Sequence, residues 1–336
     1  MNFWWLVLIV FAGSWGLTLI LRRYAIAKQL IDIPNERSSH SIPTPRGGGV
    51  AIVSTFALAL PVLYSLDFIS LSALYTLLGA GLLVAGIGFA DDHGHVAASR
   101  RLLGHFFAAA WVLFWGKGLP AVNLFGVSFD LGWLGEILAA VYLVWMLNLY
   151  NFMDGIDGLA SVEAISVCLG MSLVYYLSGN VAIIWVPLVL AAAVVGFLCW
   201  NFPPAKIFMG DAGSGFLGFT LGGLVLQAGW VDPALFWSGL ILLGVFIVDA
   251  TLTLLRRLAR GDKVHQAHRS HAYQFASRYF NSHKVVTLGV IGINLLWLYP
   301  LSVLVGGGYL DGFYGLIIAY TPICLLAVKY RAGMIE

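Results

Sequence analysis

Three short segments contain carboxylates at spacings that suit chemistry on a phosphate. Asp154 and Asp157 lie three residues apart in "NFMDGIDGLA", and Asp91 precedes Asp92 in "GFADDHGH". The third segment, "FMGDAGSG", contains Asp211, and the small residues after it leave the backbone N–H groups approachable by a phosphate at a helix N-terminus. Because Mg²⁺ prefers a few carboxylates together with substrate phosphate oxygens, the three segments predict a Mg²⁺–diphosphate site.

Each segment also has a structural interpretation. Two acids after an apolar run could be a solvated stop signal, and Asp-Gly pairs are common in turns and helix caps. Asp211 could simply cap the next helix. A plain turn does not need two Asp-Gly pairs flanked by Phe and Met, and the segment lacks the later ligands of an EF-hand. The alternatives stay open on the residues alone.

Two basic loops could complete such a site. "HSIPTPRGGG" contains His40 and Arg46, which could contact phosphate or belong to a simple connector. The segment lacks the lysine and the spacing of a Walker A loop. "RRLARGDKVHQAHRSHAYQ" repeats histidine every three residues, at 265, 268 and 271, near helical spacing. We favour contact of these histidines with phosphate. Zinc binding is one alternative, although the H-E-x-x-H pattern is missing, and a solvated amphipathic helix is the other.

The composition places these segments at a membrane. Of the 336 residues, 60% are hydrophobic and 10% are charged, and the mean hydropathy is +0.89. Ordinary globular domains carry roughly 25% charged residues, so the chain is an integral membrane protein. A net charge of +2 does not suggest nucleic-acid binding. Cys168, Cys199 and Cys324 show no metal or disulfide spacing and are predicted to be core or lipid-facing residues.

The apolar runs predict an all-α polytopic membrane protein. A spanning helix needs ~20 mostly apolar residues. On that measure the chain forms one integral-membrane domain, 1–336, with about eleven transmembrane helices. The predicted spans are 3–21, 48–65, 71–90, 102–115, 134–150, 159–177, 182–200, 215–230, 234–255, 285–305 and 309–328.

The basic residues orient the predicted bundle. With the N-terminus outside, Lys117 alone of the 18 Lys and Arg falls outside. The positive-inside rule therefore predicts a periplasmic N-terminus and a cytoplasmic C-terminus. The carboxylate segments then meet at the cytoplasmic face, with the active site formed by five loops: 22–47, 91–101, 151–158, 201–214 and 256–284.

Asp249 lies inside a predicted helix. An intramembrane carboxylate is a functional candidate, and a structural pair with a neighbouring helix is the alternative.

Two other classes of membrane protein remain as alternatives for the function of the chain. A secondary transporter should place its ligands near the membrane midplane on broken helices. A Mg²⁺-dependent membrane lipid-diphosphate phosphatase would share the cation and the leaflet but would hydrolyse its substrate.

The motifs resemble those of the polyprenyl-phosphate N-acetylhexosamine-1-phosphate transferases of glycosyltransferase family 4. The match involves "DD", "NFMDGIDGLA", "FMGDAGS", "HSIPTPRGGG" and the histidine-bearing loop. The resemblance implies transfer of an N-acetylhexosamine 1-phosphate from a UDP-sugar to undecaprenyl phosphate, with release of UMP. It implies a bacterial inner-membrane enzyme with a cytoplasmic active site that initiates O-antigen, lipopolysaccharide or related envelope glycans. Mg²⁺, replaceable by Mn²⁺, is the implied cofactor, and a homodimer is left open.

The resemblance also assigns roles to residues. Asp211 resembles the principal Mg²⁺ ligand, and Asp154 and Asp157 are expected near the metal and the nucleotide, with Asp154 also a ligand. Asp91 and Asp92 match aspartates proposed as a base or a metal partner. Phe208 is a candidate to stack on uracil, and the histidines of the last loop would face the sugar diphosphate. The remaining implied catalytic or substrate-binding residues are Asn151, Asn201, Arg46, His40, Arg269, His268 and His271.

Two departures from the family pattern stand out. His95 occupies the position of a third acid that many members carry, and "AHRSHAYQ" resembles the branch of O-antigen initiators that use N-acetylated 6-deoxy sugars. A phosphate monoester has a second pKa near ~6 and is already mostly dianionic at neutral pH. A general base at Asp91 would therefore gain little, so metal or substrate placement is its expected role.

Overall fold

The structure, a computed structural model, describes residues 3–34, 39–94, 96–262 and 269–335. Within these ranges the regular secondary structure is helical apart from two short antiparallel ribbons, β1 (Ile31–Asp32) with β2 (Thr44–Pro45) and β3 (Val122–Leu124) with β4 (Val127–Phe129). The first half of the chain contains α1 (Trp4–Ala27), α2 (Gly49–Ser65), α3 (Leu71–His93), α4 (Ala98–Trp115), α5 (Gly132–Met153) and α6 (Leu159–Leu177). The second half contains α7 (Trp185–Asn201), α8 (Asp211–Val231), α9 (Pro233–Leu242), α10 (Gly244–Ala259), α11 (Ala272–Tyr279), α12 (His283–Ile293), α13 (Tyr299–Gly306) and α14 (Gly312–Lys329).

The all-α, multi-pass membrane class is confirmed. Eight helices of the described chain are long and apolar enough to cross a membrane, or nine if α9 and α10 form one bent span. The predicted count of eleven is not confirmed by length and composition. The helix α2 has only 17 residues, and α4 begins with a polar turn that contains Arg100 and Arg101.

Two of the predicted spans are irregular. The segment expected as one helix over 234–255 is broken at Leu243, and its two halves, α9 and α10, are bent by 70°. At the break Gly244 packs so closely that a Cβ there would lie 3.0 Å from the Tyr320 ring. A π-helical segment, Asn294–Leu298, joins α12 to α13 just before Pro300, whose missing N–H group interrupts regular helical bonding.

Helix α8 lies at the centre of the bundle against α2, α3 and α5. Small residues let the backbones approach, as is common between membrane helices. A Cβ on Gly88 of α3 would lie 2.5 Å from the carbonyl of Asp211, and one on Gly49 of α2 would collide with Gly213 of α8. These contacts bring the end of α3 and the start of α2 against the first turn of α8.

Candidate functional site

A cavity of about 280 Å³ lies where α3, α5 and α7 end and α8, α11 and α12 begin. The convergence of carboxylates expected from the three motifs is therefore present. Asp32, Gln274 and His283, which the sequence did not single out, also line it. Of the predicted residues, the cavity is lined by Asp92, Asp154, Asp157, Asp211, Asn151, Asn201, Phe208, His40 and Arg46.

Asp92 caps the N-terminus of α8. Its Oδ1 accepts the backbone N–H of Asp211 at 3.1 Å, and its Oδ2 accepts that of Ala212 at 3.2 Å. Gly210 has φ +78°, and a Cβ there would lie 2.7 Å from Asp92 Oδ2, so a residue without a side chain is required at this position. Only 5% of Asp92 is exposed. Its carboxylate is engaged by the protein and fixes the position of Asp211.

Asp91 points to a different partner, Arg101. The Arg101 guanidinium bonds to Asp91 Oδ2, and its Nη1 lies 3.3 Å from Asp211 Oδ2. The other Asp91 oxygen accepts the N–H of Val96 at 2.9 Å. Asp91 is not among the residues that line the cavity. Arg101 lies in the loop 91–101 predicted for the active site but was not singled out as a site residue; its only further signal is its place ten residues after Asp91.

Asp154 differs from its neighbours, because its carboxylate makes no hydrogen bond or ion pair with any residue in the described ranges. It follows the last turn of α5 and faces the cavity. Burial raises the pKa of Asp154 well above its usual value, and the nearby charges of Asp211, Asp92 and Asp157 raise it further. A cation would relieve this repulsion, so Asp154 is free to act as a ligand.

Asp157 is held by two loops. Its Oδ2 accepts the N–H of Ala205 at 3.0 Å, and its Oδ1 lies 3.3 Å from His283 Nδ1. Burial alone would raise the pKa of Asp157, but the hydrogen bonds from His283 and Ala205 lower it below its usual value. His283 Nε2 in turn donates to the carbonyl of Ser39 at 3.0 Å. His283 thus links the loop before α2 to Asp157, although in the sequence it is only a basic residue shortly before an apolar run that begins at Val285.

The side chains of Asn201 and Asn151 form hydrogen bonds with other residues of the chain. Asn201 is 3% exposed; its Oδ1 accepts the N–H of Gly158 at 3.1 Å, and its Nδ2 donates to the carbonyl of Ile207 at 3.0 Å. Asn151 Oδ1 accepts the hydroxyl of Ser214 at 2.6 Å. These bonds tie the loop after α5 and the first turn of α8 to their neighbours.

Phe208 and His40 form an aromatic pair at the cavity wall. Their ring centroids are 4.8 Å apart at an interplanar angle of 70°. The backbone of Phe208 is fixed on both sides, by its N–H to Pro45 at 2.8 Å and by the N–H of Gly48 to its carbonyl at 2.9 Å. His40 Nε2 is buried and has no hydrogen-bond partner in the described chain. This nitrogen could therefore donate a hydrogen bond to a ligand or accept one from it.

Arg46 is placed by the same loop. Its Nη2 donates to the backbone carbonyl of Asp92 at 2.5 Å. The residue lines the cavity beside the acidic cluster. Arg46 therefore connects the basic loop to the end of α3.

Asp249 organises the last loop. Its two oxygens accept the N–H groups of Ala272 at 2.9 Å and Tyr273 at 3.0 Å, and His271 Nδ1 lies 3.4 Å from Oδ1. The structural alternative for Asp249, pairing with a neighbouring segment, is the one observed. His271 is 2% exposed, and neither it nor Arg269 lines the cavity. The predicted site residue His268 lies outside the described residues.

The donor set fits a hard cation. Within the described ranges, no group of three or more His, Cys, Asp or Glu side chains could hold a metal ion unaided. Mg²⁺ commonly uses one or two carboxylates, with the other positions filled by water and substrate phosphates. Asp154, half-buried and without a side-chain partner among the described residues, and Asp211 at the start of α8 could supply such a pair of oxygen ligands beside an open cavity.

The chain is similar to proteins of known function along much of its length. Residues 74–229 match the family described as Glycosyl transferase family 4. The chain is 31% identical over 285 residues to a probable undecaprenyl-phosphate N-acetylglucosaminyl 1-phosphate transferase of Bacillus subtilis, covering 84% of this chain and 79% of that protein. It is 32% identical over 305 residues to the decaprenyl-phosphate N-acetylglucosaminephosphotransferase of Mycolicibacterium smegmatis, covering 78% and 72%. A phospho-N-acetylmuramoyl-pentapeptide-transferase of Pelotomaculum thermopropionicum is 31% identical over 259 residues, covering 70% and 76%.

Proposed function

Because the chain belongs to glycosyl transferase family 4 and is a polyprenyl-phosphate sugar-1-phosphate transferase, we propose that it transfers N-acetylglucosamine 1-phosphate from UDP-N-acetylglucosamine to undecaprenyl phosphate. The sugar and the lipid are those named for the Bacillus relative. A 6-deoxy N-acetylhexosamine is the second donor to test, since the last loop reads "AHRSHAYQ". The observation that carries the proposal is Asp154, half-buried and without a side-chain partner among the described residues, beside Asp211 in the cavity.

The reaction requires little proton transfer. An oxygen of the lipid phosphate bonds to the sugar-linked phosphorus, the bond from that phosphorus to the UMP oxygen breaks, and UMP leaves. A dianionic lipid phosphate and a dianionic UDP-sugar give a dianionic product and dianionic UMP, so charge balances without a base. Phosphoryl transfer depends mainly on positioning and electrostatic stabilisation. The ion pair of Asp91 with Arg101 supports a positioning role for Asp91.

We assign metal-binding and positioning roles to the residues according to their contacts. Asp154 and Asp211 would hold Mg²⁺, which neutralises the diphosphate when bound. Asp92 orients Asp211 through the α8 backbone, and Asp157 and Asn201 fix the surrounding loops. These assignments rest on the contacts described above.

Two further groups would contact the substrates. Phe208 and His40 form the wall proposed for the uracil. Arg101 also lines a small adjoining cavity with His105, Asn151 and Asp211, where the acceptor phosphate would enter between α4 and α5. The donor and the acceptor would then approach Asp211 from different sides.

The location of the site follows from the proposed topology. We place eleven crossings in a bacterial inner membrane, with a periplasmic N-terminus, a cytoplasmic C-terminus and active-site loops 22–47, 91–101, 151–158, 201–214 and 256–284. The support is the distribution of Lys and Arg. The product would initiate O-antigen, lipopolysaccharide or a related envelope glycan, and a homodimer stays open as the assembly.

The test is release of UMP by the purified full-length protein. Undecaprenyl phosphate, Mg²⁺ and a panel of UDP-N-acetylhexosamines would be supplied, with each reaction repeated without lipid and with EDTA. Lipid-dependent, EDTA-sensitive release with UDP-N-acetylglucosamine is expected. Release with a 6-deoxy donor alone would overturn the sugar assignment, and release without lipid would indicate hydrolysis.

A further inference from the structure

A second cavity, of about 360 Å³, lies at the opposite end of the bundle from the carboxylates. It is formed by the start of α3, the end of α4 with the turn that follows, and the end of α8. These are the far ends of the helices whose other ends carry Asp91, Arg101 and Asp211. The polar and aromatic side chains in its wall include Ser70, Thr76, Trp115, Lys117, Gln227 and Trp230.

The charge of this cavity is opposite to that of the catalytic one. In the described part of the chain it is lined by no Asp or Glu, whereas Asp92, Asp154 and Asp211 line the other. Lys117 has no carboxylate within ion-pair distance among the described residues. Its Nζ lies 4.5 Å from the centre of the Trp230 ring, a contact that leaves its N–H groups available. Lys117 therefore contributes a positive charge to the cavity wall, and the nearest carboxylate that the contacts show, that of Glu136 beside the backbone of Gly118, is not among the lining residues.

Other hydrogen-bond donors accompany Lys117. Ser70 Oγ accepts the N–H of Ala73 at 3.1 Å, which leaves its own O–H group to donate. Gln227 is exposed and makes no side-chain hydrogen bond within the described chain. The indole N–H of Trp115 is buried without an acceptor there, which leaves a further unsatisfied donor in the wall. A set of donors without acids suits an anion with several oxygen atoms.

The inner part of the cavity is apolar. Leu77, Val112, Leu226 and Val231 are among its lining residues. A small hydrophilic anion would leave this surface in contact with water, whereas an acyl chain would cover it. The cavity thus combines a positively charged mouth with a hydrocarbon interior, which matches an amphiphile.

We propose that this cavity binds an anionic phospholipid, with the phosphate at Lys117 and Ser70 and an acyl chain along Leu77 and Leu226. Lys117 is the one basic residue that the topology puts at this face, so its position determines where an anionic headgroup is attracted. The site is separate from the transferase cavity and does not depend on the proposed substrate. Only the choice of leaflet, the periplasmic one, depends on the proposed topology.

The test is native mass spectrometry of the full-length protein in detergent. Phosphatidylglycerol would be titrated against phosphatidylcholine with the same acyl chains. We expect one tightly bound phosphatidylglycerol per chain, with an affinity about tenfold weaker in Lys117→Gln, since a hydrogen bond to a charged group is lost. Lys117→Arg should retain binding.

Lys329→Gln is the matched control. Lys329 also lies over an aromatic ring, that of Tyr330 at 5.7 Å, but it is outside this cavity. An equal loss in Lys117→Gln and Lys329→Gln would show a general charge effect and overturn the proposal. So would equal binding of both lipids, or displacement of the lipid by millimolar inorganic phosphate, which would assign a free-phosphate site. None of these readouts uses transferase activity.

Discussion

The Asp92 carboxylate binds the backbone of Asp211, accepting its N–H at 3.1 Å and that of Ala212 at 3.2 Å. Two motifs separated by more than a hundred residues are thereby joined in one unit. The acid predicted as a catalytic group contacts the predicted metal ligand through the main chain, at the N-terminus of α8. The contact is a helix cap, and it sets the direction in which the Asp211 side chain enters the cavity.

Asp92→Ala should therefore lower both stability and activity. Loss of an N-cap typically costs about 0.5–2 kcal/mol, and the displaced Asp211 should lower kcat as well. Asp92→Asn retains one of the two acceptor oxygens and should keep part of the stability. Thermal unfolding and UMP release measured on the same preparations test this, with Asp91→Ala as the adjacent variant that leaves the cap intact. An Asp92→Ala protein that is inactive yet unfolds like the wild type would show a direct catalytic role instead.

Asp91 and Arg101 should behave as one element. Asp91→Asn and Arg101→Gln are each expected to reduce kcat, since each disrupts the ion pair beside Asp211. In a double-mutant cycle the double variant should be little worse than the poorer single variant, because residues in contact couple strongly. Effects that multiply would mean that the two side chains act separately. Recovery of Asp91→Asn activity at high pH with unchanged metal affinity would instead support a general base.

Asp154 should make the stability of the metal-free protein depend on pH. Its pKa is higher in the folded protein than in the unfolded chain, so the protonated form favours folding. In EDTA the free energy of unfolding should fall as the pH rises from about 4 through the folded-state pKa. Asp154→Asn should reduce this slope and stabilise the metal-free protein at pH 8. Asp211, whose pKa burial and the neighbouring Asp92 raise to about 7, should account for part of the slope that remains. The measurement is the unfolding midpoint of the wild type and of Asp154→Asn in EDTA at pH 5 to 9.

Mg²⁺ provides the control for that experiment. Added Mg²⁺ should raise the wild-type midpoint at pH 8 and leave Asp154→Asn nearly unchanged, because the cation binds the ionised carboxylate. Parallel pH curves for the two proteins in EDTA would contradict the assignment of Asp154 as a ligand whose pKa is raised in the folded protein.

Asp249→Ala should destabilise the last loop. It leaves the N–H groups of Ala272 and Tyr273 without their acceptor, at a cost of about 1–3 kcal/mol for a buried unsatisfied group. Thr253→Val removes only the hydroxyl that bonds Asp249 at 3.2 Å and should cost less. Limited proteolysis of the loop before α11 measures the difference. Equal protection in both variants would remove Asp249 from this role.

The sequence predicted the gathering of Asp92, Asp154 and Asp211 because each lies where an apolar run ends or begins. Spans of bilayer length, counted in order, place those ends at the same face without any tertiary information. The same argument identified the loop that contains His40 and Arg46. Helix ends are thus the part of a membrane enzyme that hydropathy predicts well.

Pairwise contacts were not predictable in this way. Arg101 and His283 bond to acids on other segments, and nothing in their local sequence distinguishes them from other basic residues near a helix start. No proline in the sequence indicates the helix break at Leu243. At this break Gly244 packs closely against Tyr320. Such features depend on which helices become neighbours.

The most direct test of the account uses UDP-N-acetylglucosamine labelled at the sugar-linked phosphorus, with undecaprenyl phosphate, Mg²⁺ and the purified protein. Transfer moves this phosphorus into the lipid, so the label should enter the organic phase in step with UMP release. EDTA and Asp211→Asn should each abolish it, whereas Lys329→Gln should not. Label that stays in water while UMP is released would show hydrolysis. Undiminished transfer by Asp211→Asn would contradict the assignment of the cavity as the reaction site.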